Sequence, residues 1–283
     1  MECQVCGGAG TLAFLKNNYR ILKCTNCNHY YTDLKVTSEI VNEIYSDSYF
    51  YDGGSGYSDY TLEEEMLISR GEYYAKKILK YTKPGKVLDV GAAAGFILKG
   101  FENAGWHGTG IEPNEKMIDY GVKKFGIDLR RGTLETIKLD SKVDLVVMIQ
   151  VIAHLFDLNQ SIKNAYDYLN PGGYMLIETW NRSSFTARLF GSNWHEYSPP
   201  GTLNYFNKKT LDVLMNRYDL NKISSGWPKK YIISNHAKSL LKNKIEDIRL
   251  LRKISGIVEI IPDNGLLPYL GNDLFWALYR KNK

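Results

Sequence analysis

Two periods of hydrophobic and polar positions alternate along the chain. Residues 86–90, Lys-Val-Leu-Asp-Val, read as a strand, and 96–105 read as a helix. The same pair then recurs: strand 108–112 and helix 115–125, buried strand 144–149 and helix 159–169, then strand 173–178. Such a β-α rhythm predicts a parallel sheet with helices on both faces. Segments 223–227 and 273–279 are expected as the last two strands, with a Lys- and Leu-rich helix over 235–254 between them. Ahead of the first of these strands, Met66, Leu67, Tyr73, Tyr74, Ile78 and Leu79 are spaced for a helix over 63–81, which Pro84-Gly85 ends. Nearer the N-terminus, 11–15 and 19–23 read as two short strands around Lys16-Asn17-Asn18. The domain expectation is therefore three parts: 1–35, 36–82 and 83–283.

Composition removes several classes. With 283 residues, 44% of them hydrophobic, the chain can bury a sizeable core. No run of about 18 apolar residues exists for a membrane helix. The 21 Tyr, 10 Phe and 5 Trp speak against a disordered chain. The net charge of +5 is scattered, without the basic stripe a nucleic-acid binder wants, and is compatible with an anionic small-molecule partner. The start Met-Glu-Cys has neither a basic n-region nor an apolar h-region, so a cytoplasmic protein with reduced thiols is expected. The oligomeric state is left open.

All four cysteines lie in the first 27 positions, as Cys3-x-x-Cys6 and Cys24-x-x-Cys27. Two such turns 17 residues apart can give four thiolates to a tetrahedral zinc ion. A closed four-sulfur site leaves no open position, so the expected zinc ribbon is structural. Between 36 and 60 lies a tyrosine-dense stretch with Gly53-Gly54-Ser55-Gly56 inside it. It reads either as aromatic packing between the ribbon and the next domain or as a lid over a ligand.

The first strand of the alternating region runs into Asp89-Val90-Gly91-Ala92-Ala93-Ala94-Gly95-Phe96. Glycines at a strand-to-helix turn let backbone approach a ligand closely. Glu112 ends the next strand 21 positions after Gly91, where a carboxylate can accept hydrogen bonds from both hydroxyls of a ribose. An adenosine-containing cofactor is implied. The dinucleotide fingerprint G-x-G-x-x-G fails at Ala93 and Phe96, and no P-loop is present.

The D-x-G-x-x-x-G loop resembles the first motif of class I S-adenosylmethionine (SAM) methyltransferases, with alanine at the middle glycine. Arg131-Gly132-Thr133-Leu134-Glu135, Val151-Ile152-Ala153-His154-Leu155 and Leu169-Asn170-Pro171-Gly172-Gly173 resemble later segments of that family. The stretch from Trp194 to Phe206 resembles a W-x-x-x-x-P-P-x-H-L-x-x-F segment of its small-molecule members, with Thr202 in place of the histidine. The cysteine pairs and following tyrosines resemble a bacterial subgroup with an N-terminal zinc module. The resemblance implies an α/β, Rossmann-like sheet with a small N-terminal zinc ribbon. It also implies SAM held by Asp89, Gly91, Ala92, Ala93, Gly95, Phe96, Glu112, Pro113, Thr133, Leu134 and Gln150. Asp89 and the glycine loop would hold the methionine end, Glu112 the ribose, and Thr133 and Leu134 the adenine, with Gln150 beside the transferred methyl. His154 and His195 are the candidates for a general base, although an anionic acceptor would need none. Tyr49, Tyr57, Trp194, Tyr197 and Tyr205 are the expected acceptor contacts. The expected activity is O-methylation of a sugar or of a nucleotide-linked or phosphorylated precursor of a surface glycan or natural product. A SAM-binding adaptor without turnover and an RNA methyltransferase are the rivals. Ala153 and Thr202 motivate the first. The second lacks its amino-methylation signature, since Ser198-Pro199-Pro200-Gly201 has no aromatic residue.

Overall fold

A computed structural model describes residues 1–34, 60–228, 231–233, 266–268 and 273–282. The chain begins with β1 (Gly10–Lys16), β2 (Tyr19–Cys24) and β3 (Tyr30–Thr32). A 3₁₀ turn, Tyr60–Glu63, enters α1 (Glu64–Ile78). There follow β4 (Lys86–Val90), α2 (Phe96–Asn103), β5 (His107–Glu112), α3 (Glu115–Phe125), β6 (Asp128–Arg131), β7 (Val143–Ile149), α4 (Leu158–Tyr168) and β8 (Leu169–Trp180). The remainder comprises α5 (Phe185–Phe190), β9 (Asn204–Tyr205), α6 (Lys208–Asn216), β10 (Leu220–Gly226), β11 (Tyr231–Ile233), β12 (Leu266–Pro268) and β13 (Leu274–Lys281). Two compact units result, one of Met1–Gly226 with Asp273–Lys283 and one of Trp227–Asn272. Of the second, the described part is Trp227, Pro228 and the antiparallel pair β11–β12. The helix expected over 235–254, and Tyr49 and Tyr57, lie outside the described residues.

The helix ends follow from local chemistry. Asn114 caps α3 by accepting from the Met117 N–H at 3.0 Å, and Gly126 closes that helix with φ +65°. Asp157 caps α4 through the Gln160 N–H at 2.9 Å. Asn207 and Thr210 form a reciprocal capping box on α6.

The large sheet has the order β10-β13-β8-β7-β4-β5-β6. From β8 to β6 the strands are parallel. β13 and β10 run antiparallel, so the sheet is mixed where the sequence rhythm predicted a parallel one. Neighbouring antiparallel strands need no helical crossover, and the sequence pattern carries no sign of strand direction. Residue alternation sends Val87, Leu145, Val147 and Leu176 to one face, under α1, α2 and α3. Leu88, Val146, Met148 and Ile177 go to the other, under α4 and α6. Helices α1 and α2 approach backbone to backbone: a Cβ on Gly71 would lie 2.4 Å from the Ile97 carbonyl oxygen, and one on Gly100 2.2 Å from that of Ile68.

The ribbon is a sheet of its own, β1-β2-β3-β9, all antiparallel. Asn17 and Asn18, both with positive φ, make the two-residue turn between Lys16 and Tyr19. Sequence periodicity shows β1 and β2 but not β3 or β9, which are too short to carry a period. Through β9 this small sheet takes a strand from the segment after β8. Cys3, Val5, Leu22, Cys24 and Tyr31 join the same buried cluster as α4 and α6.

Candidate functional site

A cleft opens at the carboxyl ends of β4, β5 and β7, the edge where open α/β sheets bind ligands. It offers about 830 Å³ between its walls, open solvent included. Gly91, Ala93, Glu112, Pro113, Thr133, Leu134, Gln150 and His154 line it, joined by Tyr60 and Phe156. Ala92, Gly95 and Phe96 lie behind this wall. The Ala92 N–H ties the loop to the Ile111 carbonyl at 3.0 Å, and Phe96 is fully buried beneath the stacked ring of Tyr60.

The turn geometry explains its residues. Gly91 and Gly95 have φ of +64° and +75°. A Cβ on Gly91 would lie 2.7 Å from Val151, so the close approach needs glycine as well as the turn. Ala93 has φ +47° and Gln150 has φ +60°, left-handed conformations that cost a non-glycine residue about 1 kcal/mol or more. Strain gathered on two loops facing one cleft is the pattern of a functional site.

Glu112 is 3% exposed. Its two carboxylate oxygens accept from the Ala93 and Asn114 N–H groups, both at 3.0 Å, which leaves each oxygen a further lone pair. Burial pushes its carboxyl up to about 7. Asp89, buried at the end of β4, accepts from the Leu98 N–H, and burial raises it to about 8. Its Oδ2 has no hydrogen-bond partner among the described residues, and Asp89 lies behind the residues that line the cleft. A buried carboxylate oxygen left unsatisfied is costly and suits a ligand's donor.

Gln150 is fixed from the next strand. Its N–H donates to the Glu178 carbonyl at 2.8 Å, and its Nε2 to the Glu178 carboxylate at 3.2 Å. That carboxylate is fully buried. It also accepts from Arg70 of α1, by Nε at 3.2 Å and by Nη2, and from the Tyr74 hydroxyl. Arg70, Tyr74 and Glu178 are not among the site residues expected from the sequence. A carboxylate at the end of the apolar run Tyr174-Met175-Leu176-Ile177 was the available signal, because a buried acid needs a cation.

The two histidines are placed differently. His154 lines the cleft, and its Nδ1 lies 2.7 Å from the Gly201 carbonyl oxygen. A carbonyl accepts only, so Nδ1 carries the proton and Nε2 the lone pair. Burial lowers its pKa, which keeps the ring neutral at pH 7. His195 does not line the cleft; it packs edge-on to Trp180 at 4.6 Å with Nε2 3.6 Å from Glu196. Trp194, Tyr197 and Tyr205 are buried together with Ile21 and Ala187 and do not line the cleft either.

The four cysteine sulfurs converge within 4.8 Å of one another. Cys3 and Cys27 stand 3.7 Å apart, Cys6 and Cys24 3.4 Å. Four sulfurs around a tetrahedral zinc at 2.3 Å would stand about 3.8 Å apart, so the donor set fits. The Asn26 backbone and side-chain N–H groups point at Cys24 and Cys6 sulfurs, and a Cβ on Gly8 would intrude to 3.0 Å from Cys24 Sγ. His29 stands apart from the sulfurs, its Nε2 bonded to Asn204 at 3.2 Å.

This cysteine knuckle also braces the cleft. Between Cys3 and Cys6, Gln4 accepts from the Leu158 N–H at 2.7 Å and donates to the Phe156 carbonyl at 3.2 Å. Arg217 holds the Gln4 and Val5 carbonyls at 2.8 and 2.9 Å. The Leu203 N–H bonds Ala153, and β3 pairs with β9 beside it. The wall formed by His154, Leu155 and Phe156 thus leans on the ribbon.

Known proteins share this fold. A 1,6-didemethyltoxoflavin-N1-methyltransferase of Burkholderia thailandensis, solved with its acceptor and S-adenosylhomocysteine (SAH), superposes with a TM-score of 0.57 at 13% identity. It covers 96% of this chain and 99% of that one. At that identity the likeness speaks for the fold. A ubiquinone biosynthesis O-methyltransferase of Rickettsia typhi is 32% identical over 151 residues, 50% of this chain and 59% of that protein. Its counterpart in Bradyrhizobium diazoefficiens is 28% identical over 137 residues, 46% of this chain and 54% of that protein. The chain spans little more than half the length of these curated relatives. A family model described as a methyltransferase domain matches residues 66–225, more than half of the chain. By that match and by its class I fold, the chain belongs to the methyltransferase-domain family.

Proposed function

We propose that the protein is a SAM-dependent methyltransferase that methylates an oxygen of a small metabolite, with a structural zinc in its cysteine knuckle. The observation that carries this reading is Glu112. It is a buried carboxylate at the end of the second core strand, oriented by the Ala93 N–H of the glycine loop and open to two further donors. Family membership and the named O-methyltransferase relatives support the oxygen acceptor.

Bound SAM would supply an electrophilic methyl on sulfonium, and the protein's task is then alignment. Glu112 accepts the ribose hydroxyls, and Pro113, Thr133 and Leu134 enclose the adenine. Asp89 and the Gly91–Gly95 backbone receive the methionine end. Gln150, locked by Glu178, lines the floor where the acceptor oxygen must arrive. His154 takes the acceptor's proton at Nε2, with its Nδ1–H held by Gly201, a role worth about 10²–10⁴-fold for an alcohol. The four thiolates hold zinc away from this chemistry and fix the far wall.

Following a labelled methyl from SAM into a metabolite extract tests the reading. Transfer by the zinc-loaded protein, lost in Glu112→Ala and reduced in His154→Gln, is expected. Cofactor binding without any transfer would reduce the protein to a binder.

A further inference from the structure

A second pocket lies between β1 and α5, with about 790 Å³ of space, open solvent included. Its lining includes Lys23, Arg182, Arg188, Tyr30, Ser192 and Tyr197, and no carboxylate among the described residues. None of the three cations forms an ion pair among the described residues. Arg182 is held in place: its N–H bonds the Phe206 carbonyl at 2.8 Å, and its guanidinium lies 3.9 Å over the Tyr30 ring, beside Tyr197. Three cations lining one concavity without a carboxylate make it electrostatically favourable for an anion. Forked guanidinium donors and an ammonium match phosphate oxygens.

The position is also informative. Arg182 follows β8, four residues past Glu178, whose carboxylate holds Gln150. Four residues of chain span at most about 14 Å. The two backbone positions therefore lie no farther apart than roughly the length of a small organic phosphate. We propose that this pocket binds a phosphate or diphosphate group carried by the acceptor. The assignment to the acceptor rests on the methyltransferase reading above; the anion site itself does not.

The test is a titration of the full, zinc-loaded chain with inorganic pyrophosphate, alongside a separate titration with SAH. Saturable pyrophosphate binding that weakens about tenfold in each of Arg182→Gln, Arg188→Gln and Lys23→Gln, with SAH affinity unchanged, is expected. Arg188 is exposed, so its variant serves if Arg182→Gln folds poorly. Absence of saturable binding, or binding indifferent to all three substitutions, overturns the site. Pre-treating the metabolite extract with phosphatase should abolish methyl transfer; transfer that survives overturns the assignment to the acceptor. Failure to bind SAH would instead sink the methyltransferase reading and leave the pyrophosphate result standing.

Discussion

Replacing Arg70 with Met is the sharpest probe of how the cleft is held. The Glu178 side chain is fully buried and that of Arg70 is 9% exposed, so their charges meet away from water. Arg70→Met removes two of the four donors on that carboxylate and leaves Tyr74 and Gln150 to hold a buried anion. Stranding one partner of a buried pair costs about 3–5 kcal/mol. For a unit of this size that is a fall in Tm of the order of 10 °C. Urea unfolding followed by tryptophan fluorescence measures it directly. In Arg70→Met/Glu178→Gln no charge is stranded, so the double variant should recover at least about 1 kcal/mol over the single one. A single-variant cost below about 1 kcal/mol, or a double variant no more stable than the single, would refute the argument that this ion pair secures Gln150.

Other expectations follow from the same geometry. Asp89 and Glu112 have pKa values raised by burial to about 8 and about 7, so the fold holds protons that the unfolded chain releases. Their stabilising contribution is complete below about pH 4 and is lost as pH rises through 7 to 8, so thermal melts of the unliganded protein should show this fall, with Glu112→Gln flattening part of it. Ligand hydroxyls donating to Glu112 favour its ionised form. SAH binding near pH 7 should therefore release a fraction of a proton, visible as a heat that depends on the buffer's ionisation enthalpy; a buffer-independent heat would contradict this. Gln4→Ala removes the donor to Phe156 and the acceptor for Leu158, and should cost about 0.5–2 kcal/mol in unfolding experiments. Gly100→Val forces a side chain against the Ile68 carbonyl and should destabilise by at least about 1–3 kcal/mol, whereas Gly126, with open space around it, should accept Asn with little loss.

The alternating core was legible because each strand there is long and apolar enough to show its period, and each turn carries glycine or a cap. Strand β4 and helix α3 have the bounds that their pattern implied. Direction and long-range pairing were not legible. β13 is as apolar as a parallel strand, and only its hydrogen bonds to β8 show that it runs the other way. β9 is two residues, and its pairing with β3 joins residues some 170 positions apart. For the site, strand-end and loop residues with a local signature (Gly91, Glu112, Thr133, Leu134, Gln150) come together in one cleft. Trp194, Tyr197 and Tyr205, drawn from the segment 194–206, are buried in a small core, and Tyr197 also lines the second pocket. Gln4, Arg70 and Glu178 stayed hidden in the sequence, since each acts through a partner more than 100 residues away.

Whether the Glu112 cleft holds SAM is decided by calorimetric titration of the zinc-loaded full chain with SAH. One site per chain is expected, with a loss of about 1.5–3 kcal/mol of binding free energy in Glu112→Ala, the worth of a hydrogen bond to a charged group. Absence of binding in folded protein, or an affinity that Glu112→Ala leaves unchanged, would contradict a SAM site in this cleft.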